Sequence, residues 1–208
     1  MKGLIIKDLY MTAKDCKRNI ILALILALLS FTTRDLLFFA FYSPMITGLI
    51  PYSLLAYDER SRWFQYSEVF PYTRAQIVNV KYIITLIIQG AIFILISCAQ
   101  AATMVSSGAF EIAEFSTFTL SLLTMSLIPP AFTLPFMFKS GAEKGRLSLI
   151  FVAIIISMGG TVLAKAFNND IPSNVDLLSS VPSTCVLCIA IFALSWFLSI
   201  VFYRKREL

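Results

Sequence analysis

The chain has 208 residues, of which 58% are hydrophobic and 14% charged, and its net charge is +5. A mean hydropathy of +0.82 excludes an ordinary soluble domain, which needs a polar surface that this composition cannot supply. A bilayer removes the difficulty, because lipid solvates the outer faces of apolar helices. The composition describes one all-α, polytopic membrane domain over residues 1–208, with no soluble domain attached.

The first 18 residues mix Lys2, Lys7, Lys14, Lys17 and Arg18 with Asp8 and Asp15, and no small-residue cleavage site follows them. They read as a retained segment rather than a cleaved signal peptide. At 100° per residue, Ile5, Leu9, Ala13, Cys16 and Ile20 share one side, with Ile6 and Tyr10 near its edge. Lys7, Lys14, Arg18, Asp8 and Asp15 occupy the other side, while Leu4, Met11 and Lys17 break the pattern. This spacing predicts an amphipathic N-terminal helix lying flat at the membrane interface over residues 1–18, the alternative being a helical or irregular extension that only carries topology charges.

Six apolar segments follow, at 19–33, 36–57, 82–104, 117–138, 147–166 and 184–203. Each approaches the length needed to cross about 30 Å of hydrocarbon at about 1.5 Å per residue. The first is the shortest and needs snorkelling by Arg18 and Arg34, or an earlier start near Ala13. All but two of the 17 Lys and Arg residues then fall on one side; the exceptions are Arg34 and Lys165. That asymmetry predicts six transmembrane helices with both termini in the cytoplasm. It also argues against nucleic-acid binding, because the basic residues are spent as helix-end charges and no basic stripe is left over.

Pro and Gly gather in two segments: Pro44, Gly48 and Pro51 in the second, Pro129, Pro130 and Pro135 in the fourth. Such residues kink membrane helices and free backbone carbonyls, so they are candidates for lining a path or for bending. The alternative is the ordinary enrichment of Pro in membrane helices. Residues 164–183 form the longest external connection, either a short helix dipping back into the outer leaflet or a capping loop.

The chemistry the chain lacks narrows its function. It contains no His, which removes His-based triads and the HExxH metalloprotease motif. It has no GxxxxGK[ST] phosphate loop, so nucleotide hydrolysis falls to another chain. Cys185 and Cys188 make a C-x-x-C inside an apolar segment, where Cys mostly acts as a small hydrophobe. No segment carries a clearly central ionisable residue, so ion-coupled transport finds little support.

The most informative polar stretch is the cytoplasmic loop 58–81. A charged run at Asp58, Glu59, Arg60 and Arg62 precedes an aromatic cluster at Trp63, Phe64 and Tyr66, and Pro71 breaks the chain. Thr73 is placed to cap a helix that starts at Arg74 and runs through Lys81 into the third segment. Two short helices joined by a Pro turn are expected just beneath the membrane.

Here the sequence resembles a family. Tyr57-Asp58-Glu59, Trp63, Phe70-Pro71-Tyr72-Thr73-Arg74, Ile77-Val78 and Lys81-Tyr82 look like the matching loop of small bacterial ABC transporter permeases of the type-2 exporter class. The opening Met1-Lys2-Gly3-Leu4-Ile5-Ile6-Lys7-Asp8-Leu9 is similar to their amphipathic start, and Phe70 stands where Leu is commoner. The resemblance implies a half-transporter in a bacterial plasma membrane, pairing with a second permease chain, identical or related, and with separate ABC ATPase subunits. This chain would bind no cofactor, and ATP would sit on the partner ATPase. By position, Asp58, Glu59, Arg60, Arg62, Trp63 and Arg74 would form the ATPase-coupling loop. The implied cargo is a hydrophobic or amphipathic molecule such as a peptide, an antibiotic or a lipid-like compound. Two other readings compete: a non-transport scaffold or sensor acting through the same loop, and an intramembrane enzyme, for which Ser97 and Lys81 form no recognisable motif.

Overall fold

The structure, a computed structural model, describes residues 2–30, 37–67, 69, 72–106, 108, 111–141 and 177–205. All regular structure among them is helical. We label the helices α1 (Lys2–Asp15), α2 (Lys17–Leu29), α3 (Leu37–Thr47), α4 (Ile50–Arg60), α5 (Trp63–Ser67), α6 (Arg74–Ser106), α7 (Ile112–Ser140) and α8 (Leu177–Lys205). Four stretches are long and apolar enough to cross a membrane: Phe39–Arg60, Arg74–Ser106, Glu114–Ser140 and Cys185–Lys205. Helix α2 covers 13 residues, about 20 Å at 1.5 Å per residue, and is too short to cross by itself. The expected fifth span and most of the 164–183 connection lie outside the described residues.

Side-chain pairings fix the helix directions. Ser43 Oγ donates to the Ala23 carbonyl at 2.9 Å, so α3 returns along α2. Ala23, Ala27, Ala40 and Ser43 are all buried at that contact, where small side chains let the backbones approach. Gln89 of α6 donates to the Pro44 carbonyl at 3.1 Å, and Asp58 meets Lys81, so α6 runs antiparallel to α3 and α4. Trp196 Nε1 donates to Asn79 Oδ1 at 2.8 Å, and Arg74 donates to the Arg204 carbonyl at 3.3 Å, making α8 antiparallel to α6. Helices α7 and α8 instead run parallel, matched at Thr124–Cys188, Ala131–Ser195 and Phe138–Tyr203. Every described Lys and Arg consequently falls at one end of the bundle, and Glu111 and Glu114 lie at the other.

The proline-rich sites show how the backbone is satisfied. Pro51 has no N–H to continue the helix, and the chain turns at Gly48 and Leu49, dividing the second span into α3 and α4. A Cβ at Gly48 would come within 3.2 Å of the Gln89 amide, which is why this turn sits so close to α6. In α7, Pro135 cannot donate to the Ala131 carbonyl, and Ser195 Oγ of α8 does so instead at 2.6 Å. Having spent its hydrogen there, Ser195 must accept from Tyr82 Oη at 2.8 Å, and Tyr82 in turn accepts from Ser199 Oγ at 2.7 Å. Tyr82 is fully buried and stacks on Trp196, with ring centroids 5.2 Å apart. Three helices are thus joined by hydroxyls inside an apolar core. Helix α7 stops at Gly141, whose φ of 85° is strained for residues with a Cβ.

Ser195→Ala is expected to cost about 1–3 kcal/mol, because it leaves the Ala131 carbonyl and Tyr82 hydroxyl short of partners in the core. Pro135→Ala restores a backbone N–H at that carbonyl, so Ser195→Ala should cost less in a Pro135→Ala background. Thermal unfolding of the four proteins in detergent checks the coupling; equal costs in both backgrounds would refute this account of Ser195.

Candidate functional site

At the basic end, three helices bring four charged side chains together. Lys81 of α6 bridges two carboxylates, with Nζ 2.5 Å from Asp58 Oδ2 and 2.8 Å from Asp8 Oδ2. Lys7 of α1 closes the group from the other side, 2.6 Å from Asp58 Oδ1 and 3.2 Å from Asp8 Oδ1. The last of these distances is within ion-pair range, yet Asp8 Oδ1 accepts no hydrogen bond, so that contact is purely coulombic. Asp8, Asp58 and Lys81 are buried and Lys7 is partly exposed. Two positive and two negative charges cancel, which is the condition for holding them away from water.

The cluster corrects the expected polarity of the N-terminal helix. Asp8 does not lie on a solvent-facing polar side; it points inward with Leu4 and Thr12, because Lys81 and Lys7 supply its counter-charges. Leu4, which spoiled the sequence pattern, is in the core, and Cys16 is buried at the junction with α2. Burial first, and the nearby Asp15 carboxylate second, hold the Cys16 thiol above its usual pKa. Leu9 and Ala13 are exposed, together with Ile6 and Tyr10. The outward face of α1 is therefore still apolar and keeps Leu9 and Ala13 of the side the wheel assigned, while Cys16 is buried and Ile5 half-buried.

The 58–81 loop is built directly on this cluster. After α4, Arg62 takes a φ of 54°, a left-handed conformation costly for a residue with a Cβ, and turns the chain into α5. That turn puts the Trp63 ring 4.1 Å from Lys7 Nζ, so the ammonium that neutralises Asp58 also rests on the aromatic face. Thr73 and Gln76 then cap α6 reciprocally, the Thr73 N–H donating to Gln76 Oε1 at 3.1 Å and the Gln76 N–H to Thr73 Oγ1 at 3.3 Å. The helix expected to begin at Arg74 does so and continues unbroken to Ser106.

The sequence-predicted loop residues separate into three groups. Arg60 and Arg62 are exposed, Glu59, Trp63 and Arg74 are half-buried, and Asp58 is wholly buried. Asp58 therefore organises the loop from within, while Arg60 and Arg62 present themselves outward. Pro44, Gly48, Pro51, Pro129, Pro130 and Pro135 are buried at helix contacts, and Pro135 also borders an open groove between α7 and α8. Sequence reasoning missed Lys7, Asp8 and Lys81 as one site, since they lie far apart in the chain and at segment edges. The available signal was an Asp and a Lys flanking apolar runs at equivalent depth. Among the described residues, no group of His, Cys, Asp and Glu could hold a metal ion.

A membrane-embedded helical protein with a rigidly mounted loop on one face is the class this geometry defines. The family described as "ABC-2 family transporter protein" matches residues 3–204, and the chain belongs to that family. Comparisons with curated proteins and with solved structures return no match.

Lys81→Met is expected to destabilise the folded chain by about 3–5 kcal/mol, because it leaves two buried carboxylates facing Lys7 alone. Adding Asp58→Asn to Lys81→Met should recover part of that loss. The melting temperatures of the single and double variants in one detergent decide the matter, and strictly additive losses would show that the pair does not interact.

Proposed function

We propose that the chain is the permease subunit of an ATP-driven exporter. It would pair with a second permease chain, identical or related, and with separate ABC ATPase subunits that bind and hydrolyse ATP. The observation that carries this reading is mechanical. The loop from Asp58 to Arg74 is tied through Lys7 and Lys81 to both α1 and α6, so a push on its exposed surface reaches two helices at once. Arg60 and Arg62 are the outward contacts for the ATPase, Trp63 and Asp58 transmit its motion, and Glu59 and Arg74 flank the contact. Family membership supports the same assignment.

The proposed topology has six crossings with both termini in the cytoplasm of a bacterial cell. The parallel course of α7 and α8 favours it, since two parallel membrane helices joined in sequence need a return crossing between them. The end holding all described Lys and Arg residues would face the cytoplasm. Helix α1 would rest on that surface through Ile6, Leu9, Ala13 and Tyr10, in the manner of an interfacial amphipathic helix. The break between Pro44 and Pro51 and the prolines of α7, Pro129, Pro130 and Pro135, are the points at which the helices would bend between inward- and outward-open states. A hydrophobic or amphipathic cargo, such as a peptide, antibiotic or lipid-like molecule, fits the uncharged membrane segments and the class of transporter.

Capture of the cognate ATPase by the detergent-solubilised chain tests the proposal. Arg60→Glu with Arg62→Glu is expected to weaken capture by about tenfold or more through reversed charge. Because both side chains are exposed, the melting temperature should not change. If the native chain captures no ATPase, or the reversed pair captures it equally well, the coupling assignment is wrong.

A further inference from the structure

The parallel packing of α7 and α8 leaves an open groove of about 390 Å³ on the outside of the bundle. Its walls are almost wholly apolar: Phe132, Pro135 and Phe136 from α7, with Leu194, Leu198 and Phe202 from α8. Phe136 and Leu194 keep 53% and 60% of their surface exposed, so the described helices do not fill the groove themselves. It runs from the level of Ala131 to Lys139, about 12 Å along the helix axis at 1.5 Å per residue. That is close to the hydrocarbon depth of a single leaflet, about half of 30 Å.

Charge decides what fits. Lys139 stands at the mouth with its ammonium 5.2 Å from the Phe202 ring, and among the described residues it pairs with no carboxylate. Exposed Arg204 and Lys205 end the other wall at the same level. A second open groove, of about 310 Å³, lies towards the opposite end and is lined by Phe93, Phe115, Leu120 and Leu123. It has a comparable apolar lining, but its neighbouring charge is Glu114, and no described cation borders it. Two similar grooves thus differ in the sign of the charge beside them.

We propose that the α7–α8 groove is a binding site for an anionic phospholipid of the leaflet on the basic side. One acyl chain lies against Phe132, Phe136, Leu194 and Leu198, and the headgroup phosphate is held by Lys139, with Arg204 and Lys205 beside it. An apolar cleft with a basic rim at the headgroup level is the arrangement by which membrane helices select charged lipids. The site needs only the membrane location of the chain and stands whether or not the chain couples to an ATPase.

The test uses the full chain in nanodiscs of phosphatidylcholine containing a minor share of phosphatidylglycerol that carries a photoreactive group in its acyl chain. Crosslinked peptides are expected to map to 132–139 and 194–202, and not to the groove around Phe115 and Leu123. Lys139→Ala should lower labelling by about fivefold, the effect of one basic residue at a charged headgroup, while Lys139→Arg should keep it. Phosphatidylcholine with the same photoreactive chain should label the groove weakly, and glycerol phosphate without chains should not compete. Equal labelling by both headgroups, equal labelling of both grooves, or a crosslink from this groove to a second copy of the chain would each overturn the proposal. The native chain alone supplies the mapping, so the result stands even if the Lys139 variants fold poorly.

Discussion

Two lysines and two aspartates, buried where α1, α4 and α6 meet, set the arrangement of the basic end. A charge removed from water is tolerable only against an opposite one, so none of the four can move far without exposing another. Lys81 fixes the depth of α6 relative to α4, and Lys7 and Asp8 fix α1 against both. Because Asp58 lies in the last turn of α4, the same interaction holds the helix end from which the loop leaves. The left-handed turn at Arg62 and the Trp63 ring under Lys7 then settle its direction.

The rest of the bundle is held by a different mixture. Close contact between α2 and α3 depends on small residues, and the core of α6, α7 and α8 on aromatics packed around Tyr82, with Trp196 stacked and Phe192 edge-on. Proline adds a demand for donors, met by Ser195 at the carbonyl that Pro135 cannot serve. Gln89 reaches the Pro44 carbonyl and meets Thr47 at 3.1 Å, cross-linking the broken second span to α6. The polar side chains within the apolar segments therefore serve the backbone first. Only 22% of the most apolar stretch of Cys185–Lys205 is buried, so one face of α8 stays open beside its contacts with α6 and α7.

A permease of this kind gains something from placing its described Lys and Arg residues at one end. Among the described residues, Asp, Glu, Lys and Arg lie at the two ends of the bundle, and the basic end holds the loop and the charge cluster. Under the proposed coupling, force entering there would reach the helices through ion pairs that resist sliding. The break in the second span at Gly48 lies deeper than the cluster, beside Gln89, whereas Pro135 sits within an unbroken α7.

Much of this was legible in the sequence, because the membrane restricts the possibilities. Apolar length and the distribution of Lys and Arg identified helical spans and a basic side, and Thr73 announced the start of α6, since a cap acts over three residues. The loop motif pointed to the ABC-2 transporters, the family to which the chain belongs. The inward turn of Asp8 was not legible, for a helical wheel assigns every charge to solvent and carries no information about a counter-ion some seventy residues away. Nor could the pattern reveal that Asp58 is buried beside an exposed Arg60, or that α7 and α8 run parallel and leave a groove between them. Local composition determined which segments are helical and which end is basic, because both depend on short-range chemistry and on the solvent. The tertiary structure decided which charges face each other, because only packing brings together residues from the start, the middle and the loops of the chain.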